Sequence, residues 1–139
     1  MRAVVDTNVV VSGLLHPGRL PAQVLVDIAV GRLRPVVCHE VMEEYRSVLP
    51  RPRLRIAGEA ITELLEQLRL TADWVAIPAY PGLPPLPDPA DWPFVACALV
   101  AGCPVVTGNA RHFPAAAGVG VMTVREWVVR SSALGEGFQ

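Results

Sequence analysis

The chain contains 139 residues, of which 52% are hydrophobic and 18% are charged, and its formal net charge is −1. This length fits one domain with a single core, and the charge excludes a polycation that coats nucleic acid. All twelve basic residues are arginine. Reactions that need a lysine ammonium are therefore excluded as well.

The sequence carries no apolar run of about 20 residues that would span a bilayer and no secretion signal, so we expect a cytoplasmic protein with no membrane association. The three cysteines, Cys38, Cys97 and Cys103, are odd in number and form no CxxC pair. This pattern argues against a disulfide framework or a structural zinc site and predicts buried free thiols.

Strands and helices alternate in the predicted secondary structure. In chain order we predict a strand at 2–5, a helix at 20–31, a strand at 35–38, helices at 40–49 and 60–70, a strand at 74–77, a proline-rich loop between 78 and 93, a helix at 92–101, strands at 104–107 and 120–122, and a final helix that follows a capping box at 123–126. This alternation predicts an α/β fold with a parallel sheet and helices on both faces. We expect one domain over residues 1–130 and a flexible tail over residues 131–139.

Polar residues follow two of the predicted strands. Asp6 comes directly after the first strand, and Asn109 follows the strand that ends at Thr107. Ligands of parallel sheets bind outside the carboxyl ends of the strands, so we expect both side chains at one edge of the sheet. Taken alone, Asp6 is more simply explained as the N-cap of a helix that includes Asn8.

A second carboxylate, Asp91, precedes the helix at 92–101. At about 100° per residue it extends the apolar stripe that contains Phe94 and Val95. A carboxylate at the start of a buried face can cap the helix, bind a ligand, or do both. Asp88 lies in the proline-rich loop, and we expect it to be structural.

Three glutamates, Glu40, Glu43 and Glu44, lie on the helix at 40–49. Glu44 borders the apolar stripe of this helix, at about 100° from its centre, whereas Glu40 and Glu43 lie about 140° and 160° away. Glu44 is therefore the candidate for the strand edge. Glu43 is expected to face Arg46 in solvent.

The three acidic candidates would repel one another if they converged. Two carboxylates about 4 Å apart repel by about 4 kcal/mol at an effective dielectric of about 20, so such a cluster needs protons or a cation. Oxygen ligands favour Mg²⁺ or Mn²⁺ over zinc, and the three histidines have no HxxxH spacing. The sequence therefore predicts a divalent-metal site formed by Asp6, Glu44 and Asp91.

Three blocks of the sequence resemble the signature blocks of PIN-domain proteins: VVDTNVVVSGLL, HEVMEEYRSVLPRPRL and DPADWPFVACALVAGCPVVTGNARHFP. Within that family they look like the VapC-like toxins of toxin–antitoxin systems, and the resemblance runs from Met1 to about Glu126. It implies a three-layer α/β/α sandwich, metal-dependent endoribonucleolytic cleavage of RNA, a homodimer, and a small antitoxin that blocks the site.

The resemblance also implies roles for individual residues. Asp6, Glu44 and Asp91 match the first three members of the family's acidic quartet, Asn109 stands where many members carry a fourth Asp, and Thr107 matches the hydroxyl beside it. Asn109 supplies a neutral oxygen at this position. This departure raises an alternative function, a degenerate PIN module that binds RNA or a protein partner without cleavage.

Metal-assisted phosphodiester hydrolysis is the expected mechanism, with Thr7, Asn8 and Thr107 supporting the ligands. The competing enzyme class transfers a phosphoryl group through an aspartyl phosphate at Asp6. Such enzymes normally use a second aspartate two residues further on and a lysine, whereas this chain has Asn8 there and no lysine.

Four further residues are candidates for substrate binding. Arg51, Arg53 and Arg55 could bind phosphates through bidentate contacts, although a solvated charge run is the commoner explanation for such a pattern. His112 could contact the substrate, although packing behind its loop is the simpler explanation.

Overall fold

The computed structural model describes residues 1–78, 86–114 and 118–136. Within these ranges it contains five strands and six α-helices. In chain order they are β1 (Arg2–Val5), α1 (Thr7–Leu15), α2 (Leu20–Ala29), β2 (Arg34–Val37), α3 (His39–Val48), α4 (Gly58–Thr71), β3 (Asp73–Trp74), α5 (Trp92–Ala101), β4 (Val105–Thr107), β5 (Val121–Thr123) and α6 (Val124–Glu136). Short 3₁₀ turns lie at Pro52–Leu54, Pro89–Asp91 and Ala110–His112.

The five strands form one parallel sheet in the order β3-β2-β1-β4-β5. Val4 pairs with Val105 and Val5 with Val106, so β1 and β4 end side by side. Strand order reverses between these two strands, because β2 and β3 lie beyond β1 while β5 lies beyond β4. The carboxyl end of such a reversal is where open α/β sheets bind ligands. The predicted parallel α/β fold is confirmed.

Helices cover both faces of the sheet. α5 packs on β1, β2 and β4 and contacts α3, which contacts α4, while α2 contacts α1 and α6 and α6 packs on β4 and β5. The result is a three-layer α/β/α sandwich. Its core combines the strand valines with Tyr45, Phe94 and Trp127. Cys38 and Cys97 are buried, Cys103 is half-buried, and all three thiols are free.

Helix α1 was predicted only as the helix that Asp6 would cap, and no bounds were predicted for it. Its β-branched residues and Gly13 have low helix propensity, so local sequence alone does not favour a helix there. Packing against α2 explains its formation: a Cβ at Gly13 would lie 2.7 Å from Cδ1 of Leu25, so the two helices approach closely only because that residue is glycine. The predicted strand at 2–5 and helix at 92–101 have the observed bounds, and the other predicted helices and strands correspond to observed elements with shifted ends. Residues 79–85 of the predicted loop lie outside the described residues.

Helix α6 continues to Glu136, beyond the domain end that we expect at residue 130. The fully buried carboxylate of Asp27, on α2, accepts hydrogen bonds from Nε1 of Trp127 at 2.9 Å and from the Ser131 hydroxyl at 2.6 Å. These bonds anchor the start of the expected tail to the domain. Residues 137–139 of that tail lie outside the described residues.

No single helix in the described ranges is long and apolar enough to cross a bilayer. Among the described helices, only α1 and α2 taken together reach that length and composition, as a pair bent by 99°. Both helices contribute buried residues to the domain core, including Val9 and Val24.

Candidate active site

Asp6 lies at the reversal of strand order, between the end of β1 and the start of α1. It is 5% exposed, and its Oδ2 accepts a 2.7 Å hydrogen bond from the hydroxyl of Thr107, the last residue of β4. The Thr107 oxygen in turn accepts a 3.0 Å hydrogen bond from the backbone amide of Asn109. The neighbouring strand therefore fixes the orientation of the Asp6 carboxylate.

Asp6 occupies the N-cap position of α1, but in the described residues its side chain makes no cap hydrogen bond. Its backbone carbonyl instead starts the helix, accepting from the amide of Val9 at 3.0 Å. Burial raises the pKa of Asp6, and the Thr107 hydroxyl and nearby helix amides only partly oppose this effect. A carboxylate kept buried without capping its helix is available for a ligand.

Asp91 ends the 3₁₀ turn that leads into α5. Asp88 starts this turn, and its side chain accepts a 2.9 Å hydrogen bond from the amide of Ala90, which confirms the structural role expected for it. Asp91 is 9% exposed, and its Oδ2 has no hydrogen-bond partner among the described residues. Nδ1 of His112 lies 3.3 Å from that oxygen and pairs with it when the imidazole is protonated.

Burial raises the pKa of Asp91 to about 6, and repulsion from Asp6, Asp88 and Glu44 adds to this effect. His112 partly opposes it. The Asp91 carboxylate is thus both desolvated and surrounded by like charges. A bound cation would relieve this repulsion, so these conditions favour cation binding.

The three glutamates of α3 point as the helical wheel predicts. Glu43 is exposed and pairs with Arg46 at 2.7 Å, and Glu40 is exposed as well. Glu44 is half-buried and faces the same pocket as Asp6. The predicted phase of this helix is therefore confirmed.

An open pocket of about 310 Å³ brings most of the candidate residues together. Eight of the eleven predicted site residues line it: Asp6, Thr7, Asn8, Glu44, Arg51, Arg53, Asp91 and His112. Arg55, Thr107 and Asn109 do not line the pocket; Thr107 reaches it through its hydrogen bond to Asp6. Asp88 also lines the pocket, which the sequence did not predict.

The donor chemistry of the pocket fits a hard divalent cation. All its carboxylates offer oxygen ligands, and two buried oxygens, Asp91 Oδ2 and Thr7 Oγ1, lack hydrogen-bond partners in the described part of the chain. A buried polar atom without a partner costs about 1–3 kcal/mol, which a bound ion or its water would offset. As positioned, the described residues form no group of three or more His, Cys, Asp or Glu side chains that could hold an ion.

Tyr45, on the buried face of α3, is a residue of the site region that the sequence did not indicate. Its hydroxyl is buried and donates a short hydrogen bond to the carbonyl of Val5, directly before Asp6. Burial raises the pKa of Tyr45, and the charge of Asp6 adds to the rise. A tyrosine within an apolar stripe is a usable signal, because a buried phenol needs an acceptor.

Residues 2–111 match the family model of the PIN domain. The chain belongs to the PIN domain family. The fold of this PIN domain resembles that of one chain of the VapBC2 complex from Rickettsia felis bound to a DNA fragment from its promoter, with a TM-score of 0.59 and 13% identity over 88% of this chain and 98% of that chain.

This PIN domain also resembles a domain of a functionally unknown protein from Methanocaldococcus jannaschii, with a TM-score of 0.54 and 16% identity over 88% of this chain and 89% of that chain. No curated protein matches the sequence. At these identities the two structural neighbours establish the fold of the chain and not its activity.

Proposed function

We propose that this PIN domain is an endoribonuclease that hydrolyses RNA phosphodiester bonds with Mg²⁺ or Mn²⁺, and that it acts in the cytoplasm as the toxin of a toxin–antitoxin pair. The observation that carries the proposal is the pocket at the strand-order reversal, where Asp6, Glu44 and Asp91 line one cavity. The buried Oδ2 of Asp91, which lies 3.3 Å from Nδ1 of His112 and has no hydrogen-bond partner among the described residues, supports a cation at this position.

Asp6, Glu44 and Asp91 are the proposed ligands. When bound, Mg²⁺ or Mn²⁺ lowers the pKa of a water molecule and offsets charge on the phosphate in the transition state. Asp6 presents a carboxylate whose orientation is set by Thr107, so little reorganisation is needed on binding. Glu44 approaches the pocket from α3, and Asp91 from the start of α5.

The residues around the ligands hold them in place. The backbone amide of Asn109 positions Thr107, and we propose that Asn109, which does not line the pocket, supports the site from the loop after β4. Thr7 contributes a buried hydroxyl, and Asn8 lines the outer part of the pocket. This arrangement orients the ligands and requires no side-chain nucleophile.

A small antitoxin is the proposed protein partner, blocking the carboxylate pocket, and the active form is proposed to be a homodimer. The structural likeness to a chain of the VapBC2 complex supports the antitoxin. The homodimer rests on the family resemblance of the sequence blocks.

The proposal is tested by incubating purified, antitoxin-free protein with mixed single-stranded RNA in Mn²⁺ and in EDTA. We expect cleavage in Mn²⁺ that EDTA abolishes, and loss of cleavage in Asp6→Asn and Asp91→Asn proteins that remain folded by circular dichroism. Cleavage that persists in EDTA and in both variants would overturn the metal mechanism.

Two observations support the alternative of a non-catalytic PIN module. Asn109 is uncharged, and in the described residues the acidic side chains are not close enough to form a group of three that could hold a metal ion. The alternative predicts that the protein retains labelled RNA in a gel-shift assay without cutting it under any metal condition. The same incubation therefore separates the two functions.

A further inference from the structure

The segment that follows α3, with the sequence LPRPRLR, forms a fixed turn at the edge of the carboxylate pocket. The amide of Arg51 donates to the carbonyl of Val48 at 3.1 Å, and the amide of Leu54 donates to the carbonyl of Arg51 at 3.0 Å. Pro52 begins the 3₁₀ turn, and Arg55 ends it in a left-handed conformation with φ of 54°. Hydrogen bonds and proline thus define the backbone that carries the arginines.

Arg51 and Arg53 line the same pocket as the four acidic residues. Both residues are exposed, and neither forms an ion pair within 4.0 Å with any carboxylate in the described ranges. Arg46 on the preceding helix is instead paired with Glu43. Among the residues that the structure describes, two cations therefore have no ion-pair partner in a pocket lined by four acidic residues.

The charge balance of the pocket indicates what these cations are for. Asp6, Glu44, Asp88 and Asp91 contribute four negative charges when ionised, and one divalent cation would cancel half of them. The remaining field would repel a phosphodiester. Arg51 and Arg53 are exposed and offset the two remaining negative charges at the opening of the pocket, where an incoming phosphate would arrive first.

We propose that Arg51 and Arg53 bind backbone phosphates of a single-stranded RNA that enters this pocket. This inference rests on the proposed function, because it names how that site holds its substrate. A guanidinium binds a phosphate through two parallel hydrogen bonds. Contacts to phosphates position the strand without reading its bases, so the two arginines would contribute affinity and not sequence preference.

The test measures binding of a fluorescein-labelled single-stranded RNA by anisotropy across a salt series. The protein carries Asp6→Asn to prevent cleavage, and Mg²⁺ is present throughout. Binding of single-stranded nucleic acid weakens with salt in proportion to the number of phosphates contacted, with a slope of about 0.7 per contact in log–log form. We expect Arg51→Gln and Arg53→Gln each to reduce the slope by about 0.7.

Arg55→Gln is the matched control, because it removes the same charge from the same turn at a residue that does not line the pocket. We expect the salt dependence of RNA binding in this control to equal that of the Asp6→Asn protein with all arginines in place. Melting temperatures of all three variants should be unchanged, because the three side chains are exposed.

Cleavage in Mn²⁺ is measured separately, with Asp6 restored. Arg51→Gln and Arg53→Gln should raise KM and change kcat by less than about twofold, because they remove binding shared by the ground and transition states. The inference would be overturned if both arginine variants showed the same salt dependence of RNA binding as the Asp6→Asn protein. It would also be overturned if RNA binding by the Asp6→Asn protein did not depend on salt. Failure of the proposed nuclease function would appear differently, as an unaltered protein that binds RNA and never cuts it.

Discussion

The hydroxyl of Thr107 donates a 2.7 Å hydrogen bond to Oδ2 of Asp6, joining the ends of β4 and β1 across the strand-order reversal. Thr107 is fully buried, and its oxygen also accepts from the amide of Asn109. One side chain therefore ties the first carboxylate of the candidate site to the loop that follows β4.

Replacing this hydroxyl tests whether the orientation of Asp6 matters. Thr107→Val keeps the shape of the side chain but leaves the Asp6 oxygen and the Asn109 amide without a partner, at a cost of about 1–3 kcal/mol of folding free energy. We expect RNA cleavage to fall by about tenfold or more, as when a supporting residue of a metal ligand is removed. Thr107→Ser keeps the hydroxyl and should stay near wild type in urea denaturation and cleavage assays. Equal activity of the Val and Ser variants would contradict the assigned role.

The pKa of Asp91, raised from 3.8 to about 6, predicts how metal-free stability depends on pH. An acid with a raised folded pKa binds protons more tightly in the folded state, so its contribution to stability falls as pH rises from about 4 to 6 and stays low above that. Asp91→Asn removes the charge, and no side-chain cap bond at α5 is lost in the described residues.

We therefore expect Asp91→Asn to raise the melting temperature in EDTA at about pH 8 by about 4 °C, the shift that ~1 kcal/mol produces in a domain of this size. The difference from wild type should disappear at about pH 4, where both side chains are neutral. Differential scanning calorimetry at the two pH values measures it. If the Asp91→Asn protein is less stable than wild type at both pH values, Asp91 acts as a helix cap.

The acidic side chains could be located from the sequence because each depends on a local pattern. Asp6 follows a short valine strand, Asp91 precedes an apolar helix, and helical periodicity separates Glu44 from Glu43. Each pattern fixes the place of a residue on its own element. The parallel topology then brings the strand and helix ends to one edge of the sheet.

Features that depend on packing between distant segments were not predictable in the same way. Helix α1 is stabilised by close contact with α2 and not by its own residues. Oδ2 of Asp27 accepts hydrogen bonds from donors about a hundred positions later in the chain. The position of Asn109, with its amide on Thr107, likewise follows from the loop after β4. None of these contacts leaves a periodic signal in the sequence.

The anchoring of α6 by Asp27 makes a prediction about the region that the sequence assigned to a flexible tail. Ser131→Ala removes the hydroxyl that donates to the Asp27 carboxylate, and we expect it to lower the free energy of unfolding by about 1.5–3 kcal/mol, as for other hydrogen bonds to charged groups. Ser132 is adjacent and exposed, so Ser132→Ala should have no measurable effect. Urea denaturation of both variants compares them. Equal stabilities would mean that the helix is not held at this point.

The strongest test of the site distinguishes two adjacent glutamates of α3. Glu44 is half-buried and lines the pocket with Asp6 and Asp91, whereas Glu43 is exposed and pairs with Arg46 at 2.7 Å. Glu44→Gln keeps the shape of the side chain and removes a proposed ligand charge, so we expect it to abolish Mn²⁺-dependent RNA cleavage and to weaken Mn²⁺ binding in calorimetric titration.

Glu43→Gln removes the same charge one residue earlier. It loses only an exposed ion pair, so we expect near-normal cleavage, unchanged Mn²⁺ affinity and a change in stability of no more than about 0.5 kcal/mol. Because the two variants have identical composition, a difference between them reports position and not net charge. If Glu43→Gln is the inactive variant, the metal ligand comes from the opposite face of α3 and the proposed site is wrong.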